Sequence, residues 1–66
     1  MTIYELLIRQ AAEDLRPLLK EDGSFGIVAD ISKEALINLI VATGTPYMGD
    51  VQAQRVEEDL VREIHG

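Results

Sequence analysis

The chain has 66 residues, 47% of them hydrophobic and 27% charged, a composition that predicts one small globular domain and excludes intrinsic disorder. Its 12 acidic and 6 basic residues give a formal charge of −6, which disfavours binding to the phosphate backbone of nucleic acids. The absence of cysteine excludes a disulfide scaffold, a zinc finger and a thiol nucleophile.

The short length also predicts self-association. Ordering the chain costs roughly 1.5 kcal/mol per residue, close to what apolar burial returns in so small a domain. Small domains often rely on disulfides or a metal ion, but this chain has no cysteine and a single histidine, His65. We therefore expect a homodimer or a higher oligomer. Without a signal-peptide pattern or an apolar stretch long enough to span a membrane, we expect a cytoplasmic protein with no membrane partner.

The first predicted helix begins at Ile3, because Thr2 and Glu5 have the T-x-x-E spacing of a capping box. Apolar residues then recur at three- and four-residue spacing, which is typical of an amphipathic helix. Pro17 lacks the amide for a helical hydrogen bond, so the helix should kink or break over the two residues before it. A last turn should end at Lys20.

The next segment begins with a turn at Gly23, a residue that can adopt a positive φ. The β-branched residues that follow predict a short strand over residues 25–29, but the chain contains no second strand candidate. A lone strand leaves its backbone unsatisfied. Residues 25–29 therefore either pair with another chain or form an irregular connector, and we favour the connector.

The second predicted helix spans residues 33–43, with Ser32 as its N-cap and Gly44 as its end. From residue 35 to residue 42 only Asn38 is polar, so apolar side chains go almost all the way round. Two other helices can cover only part of this surface, and we expect the remainder to form an interface. The residues assigned to that interface are Leu36, Ile37, Ile40, Val41, Tyr47 and Met48.

Asn38, Tyr47 and Met48 each allow two interpretations. Asn38 is either an exposed position of the helix or a polar group that bonds across a symmetric contact, and we favour exposure. Tyr47 and Met48 lie between Pro46 and Gly49 and are either a recognition element or the cover of a small core. Such residues more often cover a small core, and we favour that interpretation.

The third predicted helix covers Val51 to His65, with Asp50 as its N-cap. Its helical spacing predicts an inward-facing stripe of Ala53, Val56, Leu60, Val61 and Ile64. An alternative start places Thr45 at the N-cap and Pro46 at the first helical position. Glycine in the intervening segment weakens that alternative, so we favour the later start.

Two helices joined by a short connector also fit a helix-turn-helix, in which Gln52, Gln54 and Arg55 would contact DNA. The acidic run at residues 57–59 argues against this regulator, because a recognition helix is normally basic. DNA binding is therefore kept only as the alternative function.

No catalytic residue, cofactor site or metal site is predicted. Glu57, Glu58 and Asp59 are consecutive on a helix and point in directions about 100° apart, so they cannot bind one ion together. His65 lies at a chain end that is expected to fray. The sequence predicts a mainly α, three-helix domain over residues 1–66 that acts as a non-catalytic interaction module, such as an assembly subunit, an adaptor or an inhibitor of another macromolecule.

Overall fold

The structure is a computed structural model that describes the backbone of residues 2–48 and 51–66 and the side chains of residues 2–44 and 51–66. It contains three α-helices: α1 (Ile3–Leu15), α2 (Ile27–Met48) and α3 (Ala53–His65). A short 3₁₀ turn, Arg16–Leu18, follows the first helix. The predicted mainly α domain of three helices is confirmed, and no strand occurs among the described residues.

The helix α1 begins where the capping pattern predicts. The hydroxyl of Thr2 accepts a hydrogen bond from the amide of Glu5 at 3.1 Å, which satisfies one of the free amides at the helix start. Pro17 lies in the 3₁₀ turn, so the α-helix ends just before the residue that cannot continue its hydrogen bonding. That turn ends at Leu18, whereas the sequence predicted an α-helical turn through Lys20.

The turn between α1 and α2 is held by local hydrogen bonds. Gly23 has a φ of 83°, the left-handed conformation that favours glycine. The carboxylate of Asp22 accepts hydrogen bonds from the hydroxyl and the amide of Ser24, at 2.6 and 2.9 Å. These bonds lower the pKa of Asp22, because they stabilise its ionised form.

The helix α2 begins at Ile27, six residues before the predicted start at Lys33. Residues 27–29 are helical, so the favoured connector is limited to Phe25 and Gly26 and the predicted Ser32 cap lies inside the helix. The helical phase places Ala29 in the core with no exposed surface. A helix satisfies its own backbone, which a lone strand cannot do, and core packing therefore outweighs β-propensity here.

The far end of α2 also differs from the prediction. The helix continues through Gly44, Thr45 and Pro46 to Met48, so the predicted end at Thr43 is wrong, as is the alternative helix start at Thr45. Gly44 is buried four residues after the core residue Ile40. Glycine disfavours a helix by only about 1 kcal/mol relative to alanine, too little to end one that packs on this side.

The helix α3 begins two residues later than predicted, at Ala53 instead of Val51. Asp50, its predicted N-cap, lies outside the described residues. Gln52 occupies the cap position without a capping hydrogen bond from its side chain. Val56 and Leu60 are fully buried, as the helical spacing predicts, whereas Ala53, which was expected to face inward, is exposed.

The core lies where one face of each helix meets the other two. The helix α2 has 22 residues and is about 33 Å long, whereas α1 and α3 have 13 residues each and are about 20 Å long. Two short helices packed against one side of a long helix leave its other side in solvent. None of the helices in the described part of the chain could cross a membrane, given their lengths and hydropathies. Besides Ala29, the buried core contains one cluster of Ile8, Ala11, Ala12, Leu15, Ile37, Ile40, Val56 and Leu60.

Candidate functional site on the outer face of the second helix

The side of α2 that points away from the core is apolar and exposed. Four large aliphatic side chains on it are 59 to 81% exposed. No residue of this face is charged. At 100° per residue, its members occupy less than half of the helix circumference, so they form one continuous surface. We call this surface the outer face. Among the residues whose side chains are described, its exposed members are Ile27, Val28, Ile31, Ala35, Asn38, Leu39, Ala42 and Thr43, and the half-buried Ser32 lies in the same arc.

The charged residues of α2 lie beside the outer face or away from it. Glu34 is exposed at its border. Lys33 points to the opposite side, where its ammonium group lies 3.4 Å from Asp30 and 4.0 Å from Glu57. The same ammonium group lies 5.1 Å from the centre of the Phe25 ring, a cation–π contact. The only cation of α2 is therefore engaged within the chain, and the outer face stays uncharged.

Four of the six predicted interface residues lie on a different side of α2 from the outer face. Ile37 and Ile40 are 3% and 2% exposed, so they belong to the core and do not form a surface. Leu36 and Val41 are half-buried and pack at the core's edge. These four residues lie on the side of α2 that the other two helices cover. The remaining two predicted residues, Tyr47 and Met48, lie outside the residues whose side chains the structure describes.

The most exposed residues of the outer face were not predicted. Ile27 and Val28 were assigned to the connector at residues 25–29, and Ile31 precedes the predicted helix start at Lys33, so none of them was placed on a helical wheel. Extending the helical phase back from Leu39 would have found them, because Val28 lies at a seven-residue spacing from Ala35. Asn38 is exposed, which confirms the favoured interpretation of that residue.

A second, polar feature joins α1 to α3, and we call it the seam. At its centre the hydroxyl of Tyr4 donates a hydrogen bond of 2.6 Å to the carboxylate of Asp59. The same carboxylate lies 3.1 Å from Nε of Arg55 and 3.8 Å from a guanidinium nitrogen of Arg62. The seam borders an open groove of about 380 Å³, which Arg9 and Glu63 also line.

The seam continues toward the carboxyl ends of α1 and α3. Arg16 donates a hydrogen bond of 3.1 Å to the backbone carbonyl of Glu63, whose side chain lies 3.9 Å from Arg9. Contacts between the two helices thus advance along both chains in the same direction. This arrangement means that α1 and α3 run parallel, with α2 returning between them.

Two groups of the seam, Tyr4 and Asp59, have shifted pKa values. Burial, together with the hydrogen bond to Asp59, raises the pKa of Tyr4 to about 12. The hydrogen bond from Tyr4, with the nearby Arg55 and Arg62, lowers the pKa of Asp59. At neutral pH Tyr4 is therefore protonated and Asp59 ionised, so neither exchanges a proton. The seam therefore joins α1 to α3 through a protonated hydroxyl and an ionised carboxylate.

The residues of the helix-turn-helix alternative are exposed at the start of α3. Gln52 and Gln54 point into solvent. Arg55, the only cation among the three, is paired with Asp59 inside the seam. DNA binding stays a prediction, and a gel-shift assay with pooled DNA at low salt tests it, because retardation of the DNA is its expected result.

Within the described ranges, no group of three or more histidine, aspartate or glutamate side chains converges in a way that could hold a metal ion. Comparisons of the chain with protein-family models, with curated proteins and with solved structures found no match. The function proposed below is therefore inferred from the chemistry of the chain's own surface. On that surface, the outer face has the clearest chemical character.

Proposed function

We propose that this chain is a small, acidic, non-catalytic protein–protein interaction module that self-associates through the outer face of α2. One observation supports the proposal above all others: Ile27, Val28, Ile31 and Leu39 lie on one uncharged surface and are 81%, 64%, 66% and 59% exposed. Contiguous apolar patches of this kind mark sites of interaction on soluble proteins.

The amount of exposed apolar surface is sufficient for association. Full burial of an aliphatic side chain contributes roughly 1.5 to 3 kcal/mol. Burying these four residues in both copies of a dimer would therefore contribute on the order of 10 kcal/mol. Association itself costs roughly 4 to 15 kcal/mol, so burial of the outer face in both copies is of the same size as the cost of forming a dimer.

The charge distribution also favours contact through this face. The chain carries a formal charge of −6, so two copies repel one another over most of their surfaces. The outer face is free of charge, and its burial would desolvate no ionised side chain. Depletion of charged residues is the usual property of an interface centre.

In this role the chain would act as an assembly subunit, or as an adaptor or inhibitor whose other surfaces contact a larger protein, in the cytoplasm. Its acidic charge makes nucleic acid a disfavoured partner. No catalytic step and no cofactor are part of the proposal.

Light-scattering mass across a dilution series tests the proposal. The wild-type chain should have a mass that is a multiple of 7.3 kDa at high concentration and should dissociate on dilution. Ile31→Glu, which places a charge at the centre of the outer face, should weaken association at least 30-fold, because burying an unpaired carboxylate costs several kcal/mol.

The matched control is Leu6→Glu, which makes the same chemical change at a residue of α1 that is 53% exposed. Leu6→Glu should leave the dissociation constant within a factor of two. A wild-type mass of 7.3 kDa at millimolar concentration would contradict the proposal. Equal weakening by the two variants would show that association does not use the outer face.

A further inference from the structure

We infer that self-association through the outer face is regulated by ionic strength, because the acidic charge of the chain opposes the contact that the outer face favours. This inference rests on the proposed function, since it assigns a means of control to the same surface. The observations behind it are the distribution of charge, the internal pairing of cations and the small size of the fold. None of them requires a particular orientation of the second copy.

The charge of the chain lies away from the outer face. The formal charge is −6, and the described residues of the outer face carry none of it. Exposed carboxylates lie instead on α1, in the turn before α2 and on α3, for example at Glu13, Glu21 and Glu58. A contact through the outer face therefore brings two acidic chains together without pairing any of their charges, and the repulsion between whole chains opposes it.

The cations of the chain do not relieve this repulsion at the contact. Lys33 is the only cation of α2, and its ammonium group lies near Asp30 and Glu57 of its own chain. Arg55 and Arg62 lie in the seam, on a helix that packs against the other side of α2. The contact therefore has no cation at its centre to attract the carboxylates of a second copy.

The repulsion is long-ranged compared with the size of the fold. The molecule measures 36 × 22 × 16 Å, so the centres of two copies that meet side by side lie roughly 20 Å apart. The Debye length is about 30 Å at 0.01 M salt and about 8 Å at 0.15 M salt. The two net charges therefore repel one another across the dimer at low salt and are largely screened at physiological salt.

Sedimentation equilibrium of the full chain at pH 7 tests the inference, with sodium chloride at about 0.01 M and about 0.15 M. For a formal charge of −6 on each copy, the dissociation constant should fall on the order of 100-fold between these two concentrations, because screening removes most of the repulsion. Circular dichroism at both concentrations should show the same helicity.

A charge-neutral variant separates screening from other effects of salt. Glu13→Lys, Glu21→Lys and Glu58→Lys together replace three exposed carboxylates outside the outer face. Each substitution adds two positive charges, so the triple variant has no net formal charge. It should dimerise at low salt about as tightly as the wild type does at physiological salt, and its dissociation constant should change less than about threefold with salt.

The matched control is the triple variant Glu13→Asp, Glu21→Asp and Glu58→Asp. It changes the same three positions and keeps the formal charge of −6. The control should therefore show the wild-type dependence on salt.

The outcomes separate the inference from the proposed function. A wild-type dimer with the same dissociation constant at both salt concentrations would overturn the inference and leave self-association through the outer face in place. Wild-type salt dependence in the lysine variant would also overturn it, because that variant has no net charge to screen. A wild-type chain that is monomeric at millimolar concentration and physiological salt removes the proposed function itself, and the inference with it.

Discussion

The seam between α1 and α3 and the outer face of α2 are opposites in their chemistry. In the seam, Asp59 is bound by Tyr4 and by two arginines, so its polar groups are satisfied within the chain. On the outer face, Ile27 and Ile31 are 81% and 66% exposed, with only solvent beside them in the single chain. Paired charges lie in the seam, where α1 packs against α3. Exposed apolar surface lies on the outer face of α2, where no other helix packs.

This contrast shows that exposure of a charged or an apolar residue does not by itself indicate function. The arginines of the seam are exposed, yet they serve the packing of two helices. The apolar residues of α2 divide into two groups. Ile37 and Ile40 are buried and stabilise the fold, whereas Val28 and Leu39 are exposed and accessible to a partner. The predictions below test this division, from the largest expected effect to the smallest.

The largest effect is expected in the core. Leu60→Ala removes a fully buried side chain and should lower the free energy of unfolding by about 2 to 5 kcal/mol, because it loses transfer free energy and leaves a cavity. Leu39→Ala makes the same change at a residue that is 59% exposed, and in the monomer it should cost less than about 1 kcal/mol. Urea unfolding at low protein concentration measures both. Equal losses would contradict the assignment of Leu60 to the core and of Leu39 to the exposed outer face.

The second effect concerns the acid stability of the seam. Asp59→Asn keeps an acceptor for Tyr4 but removes the charge that pairs with the arginines, so it should lower stability at pH 7 by about 1 to 3 kcal/mol. The pKa of Asp59 is lowered in the folded chain, so its contribution is present above its unfolded value near 3.8 and is lost as the pH falls through the folded-state pKa.

Urea unfolding from pH 7 to pH 2 measures this dependence. The difference in stability between the wild type and Asp59→Asn should shrink below pH 4. A constant difference across this range would mean that Asp59 is not preferentially ionised in the folded chain.

The third effect appears at alkaline pH. Tyr4→Phe removes the hydrogen bond to Asp59 and should cost about 1 kcal/mol at neutral pH. Because the folded-state pKa of Tyr4 is raised from 10.0 to about 12, its contribution is complete below pH 10 and is lost as the pH rises to about 12.

Ultraviolet absorbance during an alkaline titration measures the ionisation of tyrosine directly. The difference between the wild type and Tyr4→Phe isolates Tyr4 from the other tyrosine of the chain and should show a midpoint near 12. A midpoint near 10 would show that the seam leaves the Tyr4 hydroxyl in contact with solvent.

The smallest effect concerns the border of the outer face. In a dimer formed through the outer face, Glu34 of each copy lies at the border of the contact, so the two carboxylates add to the negative charge there. Glu34→Gln removes their repulsion and should tighten the dimer about two- to threefold at low salt, with little change at high salt. Sedimentation equilibrium at two salt concentrations measures it. Tightening that is equal at both concentrations would contradict an electrostatic origin.

The sequence determined the local features of this protein. The spacing of Thr2 and Glu5 predicted the start of α1, and Pro17 predicted its end, because a capping bond and a missing amide act within one helical turn. Helical spacing also identified Val56 and Leu60 as core residues, since their apolar stripe is narrow and the rest of α3 is charged.

Only the tertiary structure decided the extent of α2 and which of its sides is free. A helix that is apolar almost all the way round carries no sequence signal for the side it buries, so the choice falls to the lengths and positions of α1 and α3. Packing of Ala29 and Gly44 extended the helix beyond its local boundary signals. The outer face exists because two helices of 13 residues cannot enclose one of 22.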